Sequence, residues 1–157
     1  MDNYLQIAEK IVTYQLRTRW FEVAKMFSDI AEEHDGTLSM AFVLLAINDE
    51  FGTPVTKIAP RLGMEPNSLS RILASMEKKG TIYKRKDKKD KRKVYICLTD
   101  YGKQMRDISF QQFSTFEQKL HQEIGEKKLQ TFFEVMSKIA TVSAEYSLPN
   151  LKLSRTV

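Results

Sequence analysis

Ten of the sixteen residues from Lys78 to Lys93 are lysine or arginine and two are aspartate, a local charge of +8 in a chain whose net charge is +5. The rest of the molecule therefore sums to −3, so the positive excess is one site and not a general property. Lysine and arginine at this density bind anions: nucleic-acid phosphates, an anionic membrane face or an acidic protein. Composition alone does not choose among these, and a lysine-rich run can also be a solvated turn. The flanks argue for more than a turn. Ile82-Tyr83 precedes the charges, and Val94-Tyr95-Ile96-Cys97-Leu98 follows with apolar residues at 94, 96 and 98, the two-residue period of a half-buried strand. Two short strands would project a basic tip from a packed base.

The segment before the run has a second chemical face. Pro66 suits the first turn of a helix, Leu69, Ile72, Leu73 and Met76 recur at spacings of three and four, and Gly80 is a natural stop. With those residues turned inward, the outer face is Asn67, Ser68, Ser70, Arg71, Ala74, Ser75 and Lys78, with Glu77 only near the end. Small polar side chains with one arginine can enter a major groove and donate to base edges or phosphates. A solvated surface helix is the plain alternative for this face alone.

These two faces need elements to position them. Val55, Ile58, Ala59 and Leu62 mark a short helix that Gly63 can end in the left-handed conformation. Leu38 to Phe51 is apolar nearly all the way round and must be buried, and Gly52-Thr53-Pro54 ends it. Two short helices joined at a glycine, packed on a buried helix and followed by a basic hairpin, are the parts of a winged helix-turn-helix. The expected fold is mainly α, with a two-stranded β wing and N- and C-terminal dimerisation helices.

In order and spacing, Ile58-Ala59, Leu62-Gly63-Met64, Ser68-Leu69-Ser70-Arg71, Leu73, Met76-Glu77-Lys78-Lys79-Gly80 and Ile82 resemble the MarR-type (multiple antibiotic resistance regulator) winged-helix transcription factors. The likeness continues through Asp87, Asp90, Arg92 and Val94 to Leu98-Thr99 and Gly102. The resemblance implies that Ser68, Ser70 and Arg71, with Asn67 beside them, occupy recognition-helix positions that contact DNA. It also implies that Arg92 is a wing-tip arginine for the minor groove and that Asp90 orients it. A guanidinium held by a carboxylate is a rigid probe for the negative potential of a narrow minor groove. Lys78, Lys84, Lys86, Lys88, Lys89 and Lys91 complete the candidate DNA-binding set. The tip, Asp-Lys-Lys-Asp-Lys-Arg-Lys, is more lysine-rich than in many members, which favours phosphate contact.

Around the lobe at 38–102, residues 1–33 and 105–147 read as amphipathic helices that pair two subunits. The first carries Tyr4, Ile7, Ala8, Ile11, Trp20, Ala24, Phe27, Ile30 and Ala31; Thr99-Asp100 caps the helix of Met105, Ile108, Phe113, Phe116 and Leu120; a last helix carries Leu129 to Ala140 towards Pro149. The tail 150–157 is expected to fray. Tyr14, Trp20, Phe21 and Phe113 fill core and interface on the plain reading. On the other, which the family resemblance implies, they hold a small anionic or aromatic effector, with Arg17 or Arg19 to pair its charge. Cys97 reads as an inert packed or surface thiol, and His34 and His121 as surface histidines.

Composition bounds the rest. The 157 residues, 42% hydrophobic, suit one domain with a real core. No apolar run reaches the ~20 residues of a membrane helix and no signal region opens the chain, so a cytoplasmic protein with no membrane partner is expected. One cysteine and two histidines exclude a disulfide scaffold and a Cys/His zinc module, and no motif for catalysis or a cofactor is present. The expected function is that of a homodimeric, sequence-specific regulator on a palindromic duplex operator, a repressor released by a ligand. The rival is an architectural or interaction protein that binds nucleic acid without sequence preference.

Overall fold

Helix α1 (Val12–Glu32) runs unbroken because its sequence holds no glycine or proline. It is one long helix, preceded by a separate turn in which Lys10 and Ile11 donate to the carbonyls of Ile7 and Ala8. The structure is a computed structural model that describes residues 7–146. Tyr4, the expected helix end near Pro149 and the tail 150–157 lie outside the described residues.

Helix α2 (Leu38–Ala46) starts at Thr37, whose hydroxyl accepts the Met40 amide at 3.2 Å. It ends earlier than the apolar run to Phe51 suggests. The Asn48 carboxamide oxygen accepts the amides of Glu50 and Phe51, at 3.2 and 2.8 Å. The Thr53 hydroxyl donates to the Ala46 carbonyl and accepts from the Asn48 amide, at 3.2 and 2.9 Å. Side chains thus offer the backbone partners that a longer helix would have supplied.

A short strand β1 (Thr53–Pro54) leads into α3 (Val55–Leu62), and Gly63 ends that helix in the left-handed region at φ 60°. Helix α4 (Pro66–Lys78) follows, with Leu69, Leu73 and Met76 buried, and then β2 (Ile82–Lys86) and β3 (Val94–Leu98). Strands β2 and β3 are the expected two-stranded wing, and β1 adds a third antiparallel strand to give the order β1-β3-β2. In register Ile82 faces Leu98, Lys84 faces Ile96 and Lys86 faces Val94, while Thr53 and Pro54 pair with Ile96 and Tyr95. Val43, Ile58, Leu69, Met76, Ile82 and Ile96 form the sealed centre of this lobe.

Helix α5 (Asp100–Ile124) starts under the Thr99 hydroxyl, which accepts the Gly102 amide at 2.9 Å as the expected cap. Helix α6 (Glu126–Glu145) follows Gly125. The chain divides into two compact units between Gln112 and Phe113. Among the described residues no helix is long and apolar enough to cross a membrane.

Candidate nucleic-acid interface

The inner row of α4 holds the helix against the core, and this leaves Asn67, Ser68, Ser70, Arg71, Ala74 and Lys78 exposed along its outer side. Ser75, expected on that face, is half-buried because it lies next to Met76 at the edge of the apolar row. The Ser70 hydroxyl donates to the Pro66 carbonyl at 2.9 Å, which fixes its rotamer and leaves an oxygen lone pair facing outward. Asn67 and Ser68 sit in the first turn, where unpaired helix amides favour an anion.

The wing turn is built by two aspartates. The Asp87 carboxylate accepts the amides of Lys89 and Asp90 at 2.8 and 2.9 Å, and the backbone closes through Asp87 to Lys93 and Lys93 to Asp90 bonds of 2.9 Å. Hydrogen bonds from the Asp90 and Lys89 amides hold the Asp87 carboxyl below the ordinary aspartate range. The turn is therefore charged and closed throughout the neutral range. The Asp90 carboxylate accepts both the Arg92 amide and its Nε, at 3.1 and 3.2 Å. The Arg92 side chain is 93% exposed, so the clasp aims a guanidinium outward without burying it.

The ten cations of the run fall into different settings. Lys86, Lys88, Lys89 and Lys91 are exposed on the hairpin. Lys84 is paired with Glu77 at 2.7 Å, so much of its charge is offset locally. Two cations outside the sequence-predicted set are engaged with the body of the lobe. Lys79 donates to the Asp35 carbonyl at 2.8 Å and pairs with its carboxylate. Arg85 donates to the Phe51 carbonyl at 2.6 Å and lies over the Tyr95 ring, 5.5 Å from its centroid. The signal for Asp87 was present in the sequence, since an aspartate before a lysine pair and a second aspartate is a side-chain-capped turn. Nothing in residue type marked Lys79 or Arg85 as different from the other cations.

Of the candidate effector residues, Tyr14, Arg17, Trp20 and Phe21 lie along α1 in the first unit. Trp20 stacks on Phe42 with ring centroids 6.2 Å apart, Tyr14 is half-buried, and Phe21 is 70% exposed. Phe113 is half-buried in the second unit. Cys97 is buried, with its sulfur against Gly52, so of the packed and surface settings it has the packed one. His121 pairs with Glu126 at 3.2 Å. No group of three His, Cys, Asp or Glu among the described residues is placed to hold a metal ion.

Comparison with known proteins agrees with the winged-helix fold. Residues 37–94 match the MarR family. The chain is 28% identical over 99 residues to the HTH-type transcriptional regulator SarZ of Staphylococcus aureus, covering 60% of this chain and 67% of that protein. Its fold is similar to that of S. aureus MepR in a DNA complex, with a TM-score of 0.76 and 23% identity over 83% of this chain and 97% of that one. It is also similar to the transcriptional repressor CouR bound to a 23-mer DNA duplex, with a TM-score of 0.73 and 22% identity over 84% and 94% of the two chains.

Proposed function

We propose that this chain, a member of the MarR family by its winged-helix domain at residues 37–94, is a homodimeric transcriptional repressor that binds a palindromic operator. Members of that family are transcriptional regulators and not enzymes, and the regulators and DNA complexes among its relatives support double-stranded DNA as the partner. The observation that carries the reading is the pairing of the exposed polar face of α4 with a hairpin whose Arg92 is clasped by Asp90. One element fits a major groove, and the other presents a fixed cation of the kind a narrow minor groove attracts. The lobe at 38–102 does the binding, and helices within 1–33 and 105–147 join two subunits. Repression is supported by the CouR likeness, and the reading of duplex DNA as the partner supports a cytoplasmic protein.

Titration at several salt concentrations on operators with A·T or G·C flanks tests the assignments. Arg71→Ala is expected to cost about 1–3 kcal/mol and to flatten preference at particular base pairs. Replacing Lys86, Lys88, Lys89 or Lys91 should weaken all duplexes alike and reduce the salt slope by about one unit. Lys78, at the end of α4, belongs with these phosphate contacts, and Lys84 should contribute less because Glu77 neutralises it. Arg92→Ala should hurt most on A·T flanks, and Asp90→Ala should reproduce part of that loss. Equal affinity of Arg92→Ala and parent on both flanks would remove the wing from the minor groove. Failure to hold one operator against excess random duplex would favour an architectural binder, the reading that the lysine-rich tip supports.

Control by a small anionic or aromatic ligand is the second part of the proposal, with Tyr14, Arg17, Trp20 and Phe21 of the first unit as its residues. A ligand changes operator affinity only if it binds one spacing of the recognition helices better than another. Aryl and acyl carboxylates are expected to weaken the operator complex and raise the melting temperature of the free protein. A panel that moves neither quantity would leave those aromatics a packing role.

A further inference from the structure

Strand β2 is poorly anchored by its own side chains. Only Ile82 is buried, and Tyr83 to Lys86 are exposed. Beyond Ile82 the outer strand of the wing has the backbone ladder to β3 and little apolar contact to fix its direction. Arg85 supplies what is missing. It faces Tyr95 across the ladder, and its guanidinium passes over that ring to donate to the carbonyl of Phe51, just before β1. In a sheet ordered β1-β3-β2, this one side chain spans the central strand and ties the outer strand to the far edge.

The receiving loop is itself held at both ends. Asn48 caps the amides of Glu50 and Phe51, and Thr53 ties the loop back to Ala46. Asp49 receives the Arg106 guanidinium of α5 on both oxygens, at 3.3 and 3.4 Å, with Lys103 at 4.0 Å. The Arg106 side chain is only 21% exposed, which makes this the least solvated ion pair on the loop.

We infer that Arg85 is a positioning residue for the wing and not a phosphate contact, and that Asp49 anchors the loop against which it pulls. This rests on the reading of the chain as an operator-binding protein. A charge-assisted hydrogen bond strapped over an aromatic ring aims the hairpin, and with it Arg92, without itself touching DNA. The arrangement separates one of the ten cations by role, which counting charges could not do.

The two roles differ in sign and in salt dependence. The full-length protein would be titrated, from about 50 to 200 mM salt, with a duplex selected from a random pool and with an unselected duplex of equal length. Arg85→Ala is expected to lose about tenfold on the selected duplex, the scale of one charge-assisted hydrogen bond, with the salt slope of the parent. Lys88→Ala, run beside it, should lower the slope by about one unit on both duplexes. Asp49→Asn is the second variant. Removing a negative charge would tighten binding to DNA if charge alone mattered, whereas loss of an anchor should weaken the selected complex about threefold. Hydrogen exchange at the Tyr83 and Asp87 amides, which face β3, should quicken in both variants while the amides of α4 keep their protection. A slope lowered by one unit in Arg85→Ala, unchanged affinity, or tighter binding by Asp49→Asn would overturn the inference. If the parent itself prefers no duplex over random sequence, the operator-binding reading has failed, and the exchange rates alone then decide whether Arg85 holds the strand.

Discussion

Gly102→Ala is expected to unfold the DNA-binding lobe at temperatures where the parent remains folded. Gly102 is buried in the first turn of α5, where a methyl group would overlap the backbone carbonyl of Thr81. That obstacle is main chain and cannot rotate away. It is also committed, because the same carbonyl accepts the Thr99 amide at 3.1 Å, while the Thr81 hydroxyl donates to Met76 at the end of α4. The Thr99 hydroxyl donates to the Gly80 carbonyl at 2.6 Å and accepts the Gly102 amide. Recognition helix, first wing strand and α5 therefore meet at one knot, and moving α5 outward breaks several of its bonds together. Overpacking together with lost hydrogen bonds should cost about 3 kcal/mol or more. That corresponds to a fall in melting temperature of roughly 10 °C or more. Gly63→Ala is the comparison, since that site opens on empty space and only its left-handed backbone is penalised, by about 1–2 kcal/mol. Thermal unfolding followed by circular dichroism measures both, and a Gly102→Ala protein melting within a degree or two of the parent would refute the close approach.

What could be read from the residues beforehand follows from how local the controlling physics is. The apolar row of α4, the stop at Gly63 and the period-two strand from Val94 are each set by neighbours within a turn or two, and all are found where the spacing puts them. The third strand left no such trace, because it is two residues long and one is a proline at the sheet edge. The early end of α2 depends on Asn48 and Thr53 reaching backbone that apolar periodicity would have kept helical. Cys97 follows the same rule. Strand alternation puts it opposite Ile96 and Leu98, yet it is buried as they are, since the backbone at Gly52 closes over its sulfur. Within the basic run, the Asp90 and Arg92 pair is two residues apart and local, whereas Arg85 reaches 34 positions back to Phe51. Residue type marks a cation, but only the folded sheet shows what it is bound to.

A single charge placed on the last helix should cost the DNA complex more than any single DNA contact. Helix α6 carries Phe132, Val135, Ile139 and Val142, and its C-cap residue Tyr146 continues the row, at intervals of three, four, three and four. Four of the five are at least half exposed, from 50% at Phe132 and Val135 to 66% at Tyr146. On the proposed reading of the chain as a homodimer, a second copy would cover this row. Val135→Glu puts a carboxylate in the middle of the row, where a lone chain tolerates it and a helix pair does not. A dimer offers two recognition helices about 34 Å apart, so the second half-site binds intramolecularly once the first is engaged. Losing that link should lower operator affinity by about 10²–10⁴-fold and halve the salt slope, because half the phosphate contacts leave with the second subunit. Ser137→Glu, exposed on the same helix and off the stripe, should do neither. Sedimentation equilibrium and operator titration of the two variants separate the cases. A Val135→Glu protein that remains dimeric at micromolar concentration and binds like the parent would show that subunits pair through some other surface.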